Sequence, residues 1–206
     1  MGIFSKKDAA PADADFDTPT AAIDDISGDY TLDVAHTRLG FSARHAMVTT
    51  VRGAFKEFEG TATIDTAEPA KSKVSLTIKA DSVDTGNADR DGHLLSGDFF
   101  ENETHPNITF ESTAVEFDGE AWNITGDLTI KGNTKSVTVP FEQTGSAKDP
   151  FGNTRVGFEG AVAINRTDWG LSFNAALETG GVLVSEKIKL EFDISAIKTV
   201  AETTEA

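Results

Sequence analysis

Arg90, Asp91 and His93 place a cation, a carboxylate and an imidazole within one short stretch of the chain. Such a trio suits general acid–base work with the imidazole as base, or the holding of a ligand's polar end. The other histidines, His36, His45 and His105, are dispersed, and no pair has the close spacing of a helical zinc site. Cysteine is absent, which removes disulfides, thiolate metal sites and a cysteine nucleophile together. There is no Gly-x-Ser-x-Gly elbow and no glycine-rich phosphate loop. The sequence therefore assigns no catalytic residue, no metal ligand and no enzymatic activity.

The trio lies in Thr85–Phe100, the one segment that breaks an otherwise alternating pattern. Asn87 or Asp89 caps a predicted short helix carrying Arg90, Asp91, His93, Leu94 and Leu95, with Arg90, His93 and Leu94 on one face. Gly92 weakens that helix by roughly 1 kcal/mol relative to Ala, so tertiary contacts must hold it. With Phe99 and Phe100 the segment reads as a plug that has an apolar underside and a charged rim. It either closes the structure, with Arg90 and Asp91 in salt bridges, or meets a ligand's head. His45 continues the parity of Phe41 and Ala43 and should point inward, toward a ligand head or a backbone carbonyl. Arg166-Thr167-Asp168-Trp169-Gly170 reads as a salt-bridged turn after a strand.

Strands must position these groups. A period of two runs through Leu39, Phe41, Ala43; Phe58, Gly60, Ala62, Ile64; and Val74, Leu76, Ile78. It resumes in Ile108, Phe110, Ser112, Ala114; Trp122, Ile124, Gly126, Leu128, Ile130; Val137, Val139, Phe141; Val156, Phe158, Gly160, Val162, Ile164; and Ile188, Leu190, Phe192, Ile194. Turn formers such as Asp118-Gly119 and Lys131-Gly132-Asn133 separate the runs. Each strand buries one face and wets the other, which implies antiparallel pairing. An all-β sandwich and an up-and-down barrel both satisfy this pattern; the small inward residues and local connections lean toward the barrel. Those small residues either leave room for a ligand or merely receive the bulky phenylalanines.

The 206 residues fit one domain, predicted over 28–198, after a disordered acidic leader at 1–27 and before a short flexible tail at 199–206. A net charge of −16 without a basic patch argues against nucleic acid and anionic membrane surfaces as partners. No apolar run is long enough to span a bilayer, and no secretory signal is present, so a cytoplasmic location is expected.

The chain resembles the YceI-like family of polyisoprenoid-binding proteins. The resemblance rests on Tyr30–Thr37, Phe41–His45, Arg52–Gly60, Arg90-Asp91-Gly92-His93-Leu94 with Phe99-Phe100, His105–Phe110, Gly126–Gly132 and Asn165–Gly170, in the family's order. It implies an extended, lipocalin-like antiparallel barrel of eight strands with a short helix between strands. A long isoprenoid, of quinone or polyprenyl phosphate type, would lie inside; apart from that ligand no cofactor is expected, and a homodimer is. The expected contacts are Phe41, Val51, Phe55, Phe58, Phe110, Leu128, Ile130, Phe158 and Trp169 on the chain, with Leu94, Leu95, Phe99 and Phe100 from the plug. His45, Arg90 or His93 would meet the head. Two alternatives stand beside this carrier or storage role: a small-molecule enzyme using a histidine base in the same cavity, and a solid-core barrel that binds a protein partner.

Overall fold

The structure, a computed structural model, describes residues 25–178 and 180–199. Its strands are β1 (Gly28–Leu32), β2 (Arg38–His45), β3 (Thr49–Phe55), β4 (Phe58–Ile64), β5 (Lys73–Lys79), β6 (Val83–Asp84), β7 (Asn107–Phe117), β8 (Ala121–Ile130), β9 (Asn133–Lys148), β10 (Thr154–Asn165) and β11 (Val184–Lys198). One helix, α1 (Ala88–Leu95), lies between β6 and β7.

The alternating runs become these strands because an antiparallel sheet buries every second side chain. Three of the strands are bent into two pieces. β1 and β2 lie end to end against β11, with Leu32 opposite Ala196 and Arg38 opposite Asp193. β3 and β4 follow suit on β2 and β1, as do β6 and β5 on β3 and β4. Grouped in this way, the segments form a closed antiparallel barrel of eight strands, sealed where β11 pairs with β1. The barrel, not the sandwich, is the architecture.

One inward run is corrected. The register of β7 shifts between Ser112 and Ala114, so Val115 is buried opposite Ile124 while Ala114 faces solvent. A β-bulge at Thr113 inserts one residue and reverses the parity beyond it.

The lower end of the barrel is plugged by a cluster of Ile26, Tyr30, Ile64, Val115, Trp122, Val156 and Ala196. Tyr30 is 1 % exposed, and its hydroxyl donates to the carbonyl of Ile26 at 2.8 Å. Ile26, within the expected leader, packs into this floor; residues 1–24 of the expected leader and 200–206 of the expected tail lie outside the described residues.

Below the bend between β1 and β2, Arg155 joins Asp33 and Asp149, the latter at 2.8 Å, while His36 Nδ1 stands 2.7 Å from Asp33. The Arg155 guanidinium holds both carboxyls below the usual range, against a smaller opposing effect of burial. Carboxyls depressed in the folded state stabilise the fold above the unfolded-state value near about 4, and that contribution fades as pH falls toward their folded values. Arg155→Met should therefore raise the midpoint of acid unfolding followed by circular dichroism. An unmoved midpoint would mean that this network carries no pH dependence.

The β2–β3 hairpin turns through Ala46 and Met47, at φ 48° and 63°, with Val48 N–H donating to the His45 carbonyl at 3.1 Å. Three residues, 46–48, separate the paired His45 and Thr49, and the left-handed conformation of the first two costs roughly 1–2 kcal/mol in residues other than Gly and Asn. The double replacement Ala46→Asn, Met47→Gly should raise stability by about 1 kcal/mol in chemical denaturation. A loss of stability would show that Met47 packing outweighs the strain.

Candidate ligand cavity

A cavity of about 790 Å³ fills the barrel above the Tyr30 floor, within the range of small-molecule sites. Its wall is apolar: Leu76 and Ile78 from β5, Phe110 from β7, Ile124, Leu128 and Ile130 from β8, Phe141 from β9, Phe158 from β10 and Leu190 and Phe192 from β11. Ile64, Val115 and Trp122 form its base. The solid-core alternative does not fit this interior.

Glycines give the phenylalanine rings room against the wall. A Cβ on Gly160 would lie 2.6 Å from the Phe141 ring, and one on Gly53 would lie 2.5 Å from the ring of Phe41, its cross-strand partner. Gly126 receives Phe110 in the same way, at 2.4 Å. The two roles weighed for these small residues are thus one: by receiving the phenylalanines they leave the lumen empty.

The upper end is polar and is built from three pieces. Helix α1 starts where the Asn87 side chain accepts from the Arg90 N–H at 2.9 Å. Arg90 then donates from Nε to Thr85 Oγ1 at 2.7 Å and from Nη2 to the Thr85 carbonyl at 2.8 Å. Asp91 accepts from the Thr85 N–H at 3.0 Å and from its hydroxyl at 2.5 Å. Both charged residues clamp Thr85, so the expected salt bridges are replaced by a loop-to-helix stitch. The second piece is the β2–β3 hairpin, which brings Arg44, His45 and Thr49 to the rim.

The third piece is the connection from β10 to β11, anchored by the buried Trp169, whose Nε1 donates to the Leu128 carbonyl at 2.9 Å. Arg166 opens this connection, yet it forms no salt bridge among the described residues. Its guanidinium donates to the carbonyls of Leu171, Ser185 (3.0 Å) and Val184 (3.4 Å). Burial lowers its pKa, with Glu186 opposing in part.

Of the residues expected at the ligand, Phe41, His45, Val51, Phe55, Phe110, Leu128, Ile130, Phe158 and Trp169 line the cavity. So do Arg90, His93, Leu94, Phe99 and Phe100 from the plug. Phe58 and Leu95 do not. Phe58 stands at the bend between β3 and β4, where its ring lines a separate groove with Val34, Ala35 and Thr37. Leu95 ends the helix one position past the face shared by Arg90, His93 and Leu94, and packs into the core. Sequence reasoning did not name Leu171, Phe173 or Leu183 and read Arg166 as part of a salt-bridged turn; all four also line the upper end. They lie in or beside an irregular connection without periodicity, and the one available signal, a charged residue beside Trp169 and Gly170, was equally consistent with a turn.

His93 Nε2 lies 2.9 Å from Asp98 Oδ2, and the imidazole packs edge-on against Phe99 and Phe173 at 5.2 and 4.8 Å. Both polar side chains are about half exposed, Asp98 is outside the cavity lining, and no hydroxyl joins the pair. Among the described residues no group of three His, Asp or Glu side chains could hold a metal ion. The shape itself is an apolar tube with one closed end and one polar end, which has room for an amphiphile lengthwise.

Comparison with known proteins agrees with this architecture. The profile of the YceI-like domain matches residues 30–196. Protein YceI of Escherichia coli O157:H7 is 41 % identical over 175 residues, covering 84 % of this chain and 88 % of that protein. The crystal structure of BcnA from Burkholderia cenocepacia superposes with a TM-score of 0.69 at 27 % identity, over 80 % of this chain and 98 % of BcnA. A domain from Saccharophagus degradans, described as polyisoprenoid-binding and implicated in plant cell wall breakdown, shares the fold with a TM-score of 0.62 at 18 % identity, over 82 % and 98 % of the two chains. With its profile spanning most of the chain and its strands closing the same barrel, this protein belongs to the YceI-like family.

Proposed function

We propose that the protein binds a long-chain isoprenoid lipid, of quinone or polyprenyl phosphate type, in the barrel and acts as its carrier or store. The observation that carries this reading is the apolar 790 Å³ cavity, closed at the Trp122 end and polar at the α1 end. The Saccharophagus degradans domain supports the choice of ligand by the description it bears. Affinity comes mainly from apolar area, at roughly 25 cal/mol per Å² buried, less the cost of immobilising a flexible chain. The same reading includes pairing of two copies, which sedimentation at high concentration tests directly.

The test is a filled cavity. Ile124 and Leu190 both line the lumen, and Ile124→Trp or Leu190→Trp places an indole in the ligand's volume. A geranylgeranyl probe at about 100 times its Kd should stabilise the natural protein by about 2.7 kcal/mol in thermal unfolding. The filled variants should stay folded and lose at least tenfold in affinity. Unchanged affinity in both variants, or no isoprenoid binding by the natural protein, would overturn the reading.

A further inference from the structure

The ionisable groups that line the cavity invert the charge balance of the chain. Overall there are 34 Asp and Glu against 18 Lys and Arg. At the cavity there are three arginines (Arg44, Arg90 and Arg166) and two histidines (His45 and His93) against Asp89 alone. Among the described residues none of these arginines has a carboxylate within ion-pair distance, although other lysines and arginines of the same chain do. The three arginines at the cavity are thus without an ion-pair partner, whereas His93 has Asp98 at 2.9 Å.

Two of these cations are also held in place. Arg166 is only 4 % exposed, and its hydrogen-bond partners are neutral carbonyls of Leu171, Val184 and Ser185. Those bonds fix the guanidinium without neutralising it. Its Cζ lies 6.0 Å from the centre of the Phe99 ring, and that ring meets His93. Arg90 spends Nε and Nη2 on Thr85, while Nη1 makes no hydrogen bond among the described residues. With Glu186 acting on Arg166 only from beyond ion-pair distance, the buried charge is costly, and low-dielectric walls focus its field into the cavity. Guanidinium groups match the oxygen geometry of phosphate better than any neutral head.

We infer that the polar end of the cavity selects its lipid by charge, accepting a phosphate head over a neutral head on the same chain, with Arg90 and Arg166 as the determinants. The inference rests on the isoprenoid reading and narrows it, favouring the polyprenyl phosphate over the quinone.

The experiment measures binding of geranylgeranyl phosphate and geranylgeraniol, which share one chain, below their micelle concentrations. A straight-chain pair, palmitate and hexadecanol, runs in parallel. The phosphate should bind at least tenfold tighter than the alcohol. Arg90→Gln should weaken the phosphate at least tenfold more than it weakens the alcohol, whose affinity reports how far loss of the Thr85 bonds disturbs the cavity; Arg90→Lys should recover part of the difference. Equal binding of phosphate and alcohol overturns the selection by charge and leaves the isoprenoid reading standing. If only the straight-chain pair binds, with palmitate preferred, the isoprenoid reading falls and the selection for an anionic head stands. No binding of any of the four overturns both.

Discussion

Trp122→Ala should cost about 3–5 kcal/mol of stability, the range for removing a buried Trp. Trp122 opens β8, is nearly buried, and stacks against Phe117 at 5.0 Å between ring centres. It also packs with Tyr30, Ile64, Val115 and Val156, so its removal leaves a hole that the close-packed floor cannot collapse to fill. Because Trp122 forms the base of the cavity, the hole adds to the lumen. The variant should therefore gain affinity for longer isoprenoids relative to shorter ones. Urea unfolding with an unchanged slope gives the stability term, and a set of isoprenols of increasing length gives the second. A cost below about 1 kcal/mol would show that the floor is not held by this side chain.

Gly126→Val should cost at least about 3 kcal/mol, the upper end of the overpacking range. A Cβ there meets the Phe110 ring at 2.4 Å and the carbonyl oxygen of Glu111 at 2.6 Å. The ring is able to swing into the lumen, but the carbonyl belongs to the β7 ladder and cannot move without breaking pairing. Combining Gly126→Val with Phe110→Leu should hence recover only the ring's share of the loss, in a double-mutant cycle read by thermal unfolding. In the single variant the displaced ring enters the ligand's space, so isoprenoid affinity should fall along with stability. Full recovery in the double variant would mean that the ring alone explains the glycine.

Parity made much of the wall legible in advance. Phe41, Leu128, Ile130 and Phe158 line the lumen because one face of each strand is continuously apolar and the other polar. The helix was legible from Asn87, whose side chain does cap it, and from the face carrying Arg90, His93 and Leu94. What stayed hidden was non-periodic. The bulge at Thr113 and the bends between β1 and β2 and between β3 and β4 reverse or redirect side chains without a marking residue type, which is why Ala114 was placed inward and Phe58, buried in the core beside the bend, was placed at the ligand. Arg166 was hidden for another reason. Its partners are backbone carbonyls, and no sequence displays those.

Strand β11 carries a consequence for how the chain reaches this structure. It pairs with β10 along one edge and with both β1 and β2 along the other, so that Tyr30, opposite Ala62 on one side, meets its second partner only at Lys198. Contacts so distant in sequence are closed late and slowly, on the millisecond-to-second scale of all-β domains. Until β11 docks, β10 and the β1–β2 arm present bare ladder edges, the kind of template on which chains pair with one another. A nascent chain stalled before Val184 is accordingly an aggregation hazard with no lumen, and the yield of folded protein is governed by how quickly its final strand becomes available.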